Sequence, residues 1–235
     1  LTIKKSKINN KNILGVGITG NMVGLWPIDK HNKPVRNAIL WNDTRSSKIF
    51  NNRNIYSKIY KITGSIVQYG CTIPILKWMT KYDRKNLNKI KYILTCKDWI
   101  RFNLTNELYN DETEVSVFPG DIKNKKLSIK VFKIFNLSKK YLSLFPKTKK
   151  SNDISGYITL NASLATNLKL GTPVIMGCGD VIASSLGSGA IKNNQKISII
   201  GTTCHNIIVK NNSKISNNNS GLFFSSLNNT WLETK

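Results

Sequence analysis

Short apolar runs alternate with stretches of helical apolar spacing along the whole chain, and turns rich in Asn, Asp and Gly separate them. Residues 13–19 (ILGVGIT) carry no charge and predict a strand buried on both faces, as in parallel sheets covered by helices. Residues 25–28 lead into the turn Asp29-Lys30-His31-Asn32-Lys33-Pro34 and residues 35–40 return, which predicts a hairpin ending in Trp41-Asn42-Asp43-Thr44-Arg45. Over residues 46–61, Ile49, Phe50, Ile55, Ile59 and Tyr60 fall near helical spacing. Residues 73–81 predict a second helix that tolerates Pro74 in its first turn. Residues 92–95 predict a short strand, 97–104 a helix stopped at Thr105-Asn106, and 111–116 a polar loop. Helices are expected over 128–136, 139–144 and 160–168, with a short β segment at 154–158. Residues 1–12 read as the end of a helix plus a loop.

The stretch 171–208 gathers the elements with chemical promise. It predicts a buried strand (173–176), a Gly-Asp turn (177–180), a small-residue helix (181–190) and two strands pivoting on Gly201-Thr202-Thr203. Interleaved strands and helices put the chain in the α/β class with a mixed sheet. The polar, turn-rich break at 192–195 is the best candidate domain boundary, and 211–220 reads as an exposed loop.

Composition adjusts this picture at a few points. With 235 residues, 40% of them hydrophobic, the chain can bury one core, or one core and part of a second. No stretch approaches the roughly 20 apolar residues of a membrane span, and no basic-then-apolar leader is visible, so a cytoplasmic protein is expected. The chain opens on Leu1 and its last residues, 230–235, read as a strand under way, which suggests a piece of something longer. The formal charge of +24 would in isolation suggest a polyanion partner. The lysines, however, are scattered among Asn and Ile as codon drift would scatter them, and no nucleic-acid-binding signature accompanies them. Cys71, Cys96, Cys178 and Cys204 are too widely spaced to indicate a zinc site or a disulfide framework. Cys204 and His205 are neighbours on a predicted strand and face opposite sides, which argues against a Cys-His nucleophile pair.

Three groups could carry chemistry. Asp180 follows Gly177-Cys178-Gly179 where a strand releases the chain. It is either a general base for a substrate hydroxyl or the N-cap of the next helix. The main-chain N–H groups of Gly201, Thr202 and Thr203 could cradle phosphate oxygens, or simply form a hairpin turn. The segment Trp41-Asn42-Asp43-Thr44-Arg45 could stack on and hydrogen-bond a polyol. Alternatively, Asp43 and Arg45 form a structural ion pair under a buried Trp. Neither a P-loop nor a dinucleotide fingerprint is present.

Taken in order, four segments resemble the FGGY family of carbohydrate kinases, most closely its xylulokinase-like branch. They are the hairpin region through WNDTRS, CKDWIRFNLTNELYNDETEVS, GTPVIMGCGDVIASSLGSGAI and KISIIGTTCHNIIV, and together they span nearly the whole chain. The resemblance implies an actin-like, ribonuclease-H-like ATPase fold with a mixed sheet, its first domain nearly complete and its second truncated. It places a sugar-binding domain at 1–191 and the start of a nucleotide-binding domain at 192–235. It implies ATP and Mg²⁺ as cofactors, and phosphorylation of a pentulose or related polyol. Asp180 matches the catalytic base, Gly201, Thr202 and Thr203 the nucleotide-phosphate turn, and Asn21, Met22, Val23 and Trp41 the sugar pocket. Asp43 and Arg45 match the acid and base that support that pocket. The implied partner is a small sugar or polyol, neither nucleic acid nor membrane, and a homodimer is allowed. The chain departs from the family in having Asn21-Met22-Val23-Gly24 where xylulokinases usually have Gln-Met-His-Gly, so D-xylulose itself does not follow. L-xylulose, erythritol or another polyol is the alternative substrate, and a degenerate, non-catalytic sugar-binding relative the alternative role.

Overall fold

The structure is a computed structural model that describes residues 2–49, 53–200, 204–214, 220–227 and 229–234. Helix α1 (Thr2–Ser6) and a single 3-10 turn at Asn10–Asn12 precede the first extended stretch. There the 13–19 expectation needs correction. The segment runs parallel to residues 173–178, through a bridge from Val16 to Val174 and strand β1 (Thr19–Gly20), but it is not buried on both faces. Leu14 is 84% exposed, and exposed and half-buried residues alternate along the run. The physical reason is that successive side chains point to opposite faces, and along this run neither face is covered well enough to bury one fully.

The predicted hairpin forms around strand β2 (Trp26–Ile28), with antiparallel bridges from Leu25 to Ile39 and from Ile28 to Pro34. Its turn is closed by Asp29, whose Oδ1 accepts the N–H groups of His31 and Lys33 at 2.8 and 2.9 Å. The expected helix over 46–61 is two pieces, a 3-10 helix at Arg45–Lys48 and α2 (Arg53–Thr63); Phe50 lies outside the described residues. Helix α3 (Thr72–Tyr82) carries Pro74 in its first turn, followed by the short α4 (Arg84–Leu87). Strand β3 (Tyr92–Leu94) pairs antiparallel with β2 and feeds α5 (Cys96–Thr105), which ends where Asn106 takes φ +61°.

The largest departure from the sequence reading is at 111–116. It is not a polar loop: strand β4 (Asn110–Asp111) leads directly into helix α6 (Glu112–Val117). Asp111, Thr113, Glu114 and Ser116 are all fully buried. Asp111 is the N-cap, its Oδ1 accepting the Thr113 N–H at 2.7 Å.

The hairpin β5 (Gly120–Asp121) and β6 (Lys126–Leu127), helix α7 (Ile129–Ile134), a 3-10 helix at Lys139–Leu144 and strand β7 (Thr148–Lys149) follow. Strand β8 (Ile154–Tyr157) and helix α8 (Leu160–Thr166) return the chain to β9 (Pro173–Ile175), which pairs with β8. Strand β10 (Cys178–Gly179) lies parallel to β1 and hands over to α9 (Asp180–Gly187). Strands β11 (Lys196–Ile200), β12 (Cys204–Lys210), β13 (Gly221–Phe224) and β14 (Trp231–Thr234) form an antiparallel sheet in the order β11-β12-β14-β13.

Two of the four apolar clusters among the described residues hold the parts nearest the site. The larger joins α2, α3, α6 and α7 around Ile59, Ile73, Val115 and Phe132, all fully buried. The smaller packs Met22, Cys178 and Ile182 against Ile207, Val209 and Leu232, and so fixes the start of α9 to the four-stranded sheet. Burying Ile182 completely is worth about 1.5–3 kcal/mol. Among the described residues no helix is long and apolar enough to cross a membrane.

Candidate functional site

A knot of charge lies where α5, β4, α6 and β10 meet. Lys97, Asp98, Arg101, Asp111 and Glu114 are fully buried. Isolated charges cannot be left in such a place, so each must find a partner. Lys97 Nζ reaches Asp98 Oδ1 at 2.9 Å and also pairs with Asp111 Oδ2. Arg101 contacts Asp98 Oδ1 at 2.5 Å and donates to the Tyr109 carbonyl. Burial alone would lower the Lys97 ammonium, but the nearby carboxylates, Asp111 first and then Asp98, outweigh it and raise its pKa. Burial would likewise raise Asp98, but the cations Lys97 and Arg101 hold it below the ordinary Asp value. Glu114 goes the other way: burial, with Asp111 and Asp98 adding repulsion, raises it well above the ordinary Glu value despite Lys97.

This knot positions the segments expected to meet a ligand. Thr113 Oγ1 donates to Asp111 Oδ1 at 2.5 Å and accepts the N–H of Gly179 at 3.0 Å, one residue before Asp180. Glu114 Oε2 accepts the N–H of Val23 at 3.2 Å. Met22 packs so closely on Gly179 that a Cβ there would overlap its side chain, and a Cβ at Gly177 (φ +71°) would overlap the Ile18 carbonyl. The 21–23 turn and the 177–180 segment are thus in direct contact. Met22 and Val23 are each 8% exposed and Asn21 is half-buried.

Asp180 itself is exposed at the first position of α9. The cap position belongs to Gly179, so the Asp180 carboxylate is not the N-cap. Its Oδ1 accepts the Val181 N–H at 2.9 Å, which leaves Oδ2 facing solvent.

The segment 41–45 forms a second, more open site. Asp43 and Arg45 make a bidentate pair at 2.8 and 2.7 Å, and the hydrogen bonds from Arg45 hold the Asp43 carboxyl below its ordinary value. The Trp beneath this pair is Trp78, with the Arg45 guanidinium 4.9 Å above its ring. Trp41 is 48% exposed, which corrects the expectation that the pair lies under a buried Trp at that position. Asn42, Asp43, Thr44, Arg45, Lys48 and Trp78 line an open depression of about 540 Å³. Trp41 approaches the 21–23 turn through Gly70, whose carbonyl accepts the Gly24 N–H at 3.1 Å and whose Cα lies against the Trp41 carbonyl. A larger cavity of about 610 Å³, between α2 and Ile122, holds no carboxylate among its lining residues. Gly201, Thr202 and Thr203 lie outside the described residues.

Sequence reasoning assigned no role to Lys97, Asp98, Arg101, Asp111, Thr113 or Glu114. One local signal was available, because Asp111 followed three residues later by Glu114 is a helix-start spacing.

Along most of its length the chain is similar to known proteins. The N-terminal domain of the FGGY family of carbohydrate kinases matches residues 1–187. The Probable L-xylulose kinase of Haemophilus influenzae is 32% identical over 203 residues, covering 85% of this chain and 41% of that protein. The Xylulose kinase of Staphylococcus xylosus is 26% identical over 220 residues, covering 92% of this chain and 45% of the relative. The crystal structure of a xyloylose kinase from Brucella ovis superposes with a TM-score of 0.83 at 25% identity, covering 94% of this chain and 45% of that one. The chain thus spans less than half the length of these relatives and carries the actin-like fold of their first half. With a family match over residues 1–187, the chain belongs to the FGGY family of carbohydrate kinases.

Proposed function

We propose that the chain supplies the sugar-binding part of an ATP-dependent kinase for a pentulose or related polyol, with Asp180 as general base. The observation that carries this reading is the contact between Met22 and Gly179, which sets a solvent-facing carboxylate next to the turn expected to line the sugar pocket. In this reading residues 1–191 are the sugar-binding domain and 192–235 begin the nucleotide domain. Asp180 Oδ2 takes the proton of the substrate hydroxyl while Oδ1 stays on the Val181 amide, which fixes the carboxylate plane. Asn21, Met22, Val23 and Trp41 shape the pocket, and Asp43 with Arg45 braces its rim.

An exposed carboxylate with one free oxygen fits a hydroxyl that approaches a phosphoryl donor. ATP with Mg²⁺ would supply that donor and neutralise charge on the transferred group. Gly201, Thr202 and Thr203 would hold the nucleotide phosphates. No metal ligand is assigned, since no group of three or more His, Cys, Asp or Glu among the described residues could hold one.

The test is Asp180→Asn in a protein that continues this chain through the second half its relatives have. Turnover should fall about 100- to 10,000-fold with sugar affinity nearly unchanged. Near-normal turnover would remove Asp180 from the role. A panel of D-xylulose, L-xylulose and erythritol, read by ADP release, decides among substrates. Val23 in place of the usual His, and the relative named for L-xylulose, favour the L-pentulose arm.

A further inference from the structure

Val23 is an outlier in its own backbone. Among the described residues, the non-glycine positions with positive φ are Lys7, Val23, Asn32, Asn106, Lys125, Asn136, Asn167, Asn194 and Asn229. Asn tolerates this conformation through its short polar side chain, but a β-branched residue there is strained. Such a conformation persists only where the surroundings over-determine it. At Val23 three things do so: its side chain lies in the larger apolar cluster, the next amide bonds to Gly70, and its own N–H is taken by Glu114 Oε2.

We propose that Glu114 is an uncharged positioning residue for the sugar-facing turn, holding the Val23 amide so that the strained 21–23 backbone keeps the shape that selects the substrate. The inference rests on reading that turn as part of the sugar pocket. The groups that face Glu114 are Lys97, Asp98 and Cys96 from α5, Asp111 from β4 and Cys178 from β10. Lys97 and Arg101 are balanced by Asp98 and Asp111 alone, so an ionised Glu114 would leave this fully buried knot with a net negative charge. A neutral carboxyl removes the excess and still offers Val23 an acceptor. Glu114 Oε1, where the acid proton would sit, has no hydrogen-bond partner among the described residues.

The neutral form separates this role from that of a structural carboxylate, because Gln can replace a neutral Glu and cannot replace a charged one. The chain has four glutamates, so ¹³C-carboxyl labelling gives few enough signals to assign. One signal should sit at the carboxylic-acid position at pH 7 and vanish in Glu114→Gln; finding Glu114 in the carboxylate position would overturn the proposal, and wild-type protein suffices for that measurement. In hydrogen exchange, Glu114→Gln should leave the Val23 amide as protected as in wild type, whereas Glu114→Leu should speed its exchange at least tenfold. Equal protection in the Leu variant, or lost protection in the Gln variant, also overturns it. Calorimetry with the pentulose panel then gives the functional arm: the Gln variant should bind within about threefold of wild type, and the Leu variant at least tenfold more weakly. If wild type itself binds no sugar of the panel, the proposed function fails, while the carboxyl and exchange results still decide the role of Glu114.

Discussion

Two acid–base groupings in this chain use the same chemistry in opposite surroundings. The knot of Lys97, Asp98, Arg101, Asp111 and Glu114 is fully buried, whereas the Asp43 and Arg45 side chains are 22% and 30% exposed. In the knot, each charge survives because another is within reach, and removing one strands the rest. At the 41–45 segment, water stands behind both partners, and the pair chiefly holds Arg45 over Trp78. Burial, not the identity of the residues, decides which ion pair the fold depends on. The buried knot is also the one that touches both the 21–23 turn and the segment that presents Asp180.

The strongest way to break the comparison is Lys97→Met. It should cost about 3–5 kcal/mol by urea denaturation, because Asp111 loses its cation and Asp98 keeps only Arg101 in a fully buried site. A loss within 1 kcal/mol of zero would mean that the knot relaxes or hydrates, and the contrast with the surface pair would collapse. Next in size is an acid effect. The folded pKa of Asp98 lies below its unfolded value, so its contribution is present above the unfolded value near 3.9 and is lost as pH falls through the folded one. Urea midpoints followed downward from about pH 5 should therefore drop, and Asp98→Asn should flatten that limb. The smallest effect is expected at the surface: Asp43→Asn should change stability by about 0–1 kcal/mol, less at high salt. A larger loss there would show that the 41–45 segment is as structural as the knot.

Much of the architecture could be read from the chain. Helices α3 and α5 and the β2 hairpin were legible because apolar spacing and turn residues agreed over enough positions. Helix α6 was not, for a physical reason: Thr113, Glu114 and Ser116 are polar yet buried, so the helix has no apolar stripe to betray it. Residues 13–19 misled in the other direction, since an uncharged run can lie along an edge as well as inside a sheet. The position of Asp180 at a helix start was readable, but that Gly179 takes the cap and frees the carboxylate was not. Nor could Trp78 be paired with Arg45 from sequence, because the two are brought together only by packing of α3 against the 45–48 turn.

The asparagines at positive φ have a consequence for the unfolded chain. Asn32, Asn106, Asn136, Asn167, Asn194 and Asn229 occupy left-handed positions where glycine is the common choice. A glycine there would leave the denatured ensemble freer, and each side chain that fits in its place removes conformations the chain would otherwise have to give up on folding, worth about 0.4–1 kcal/mol per site when unstrained. At these corners an asparagine narrows the space the chain must search more than a glycine would.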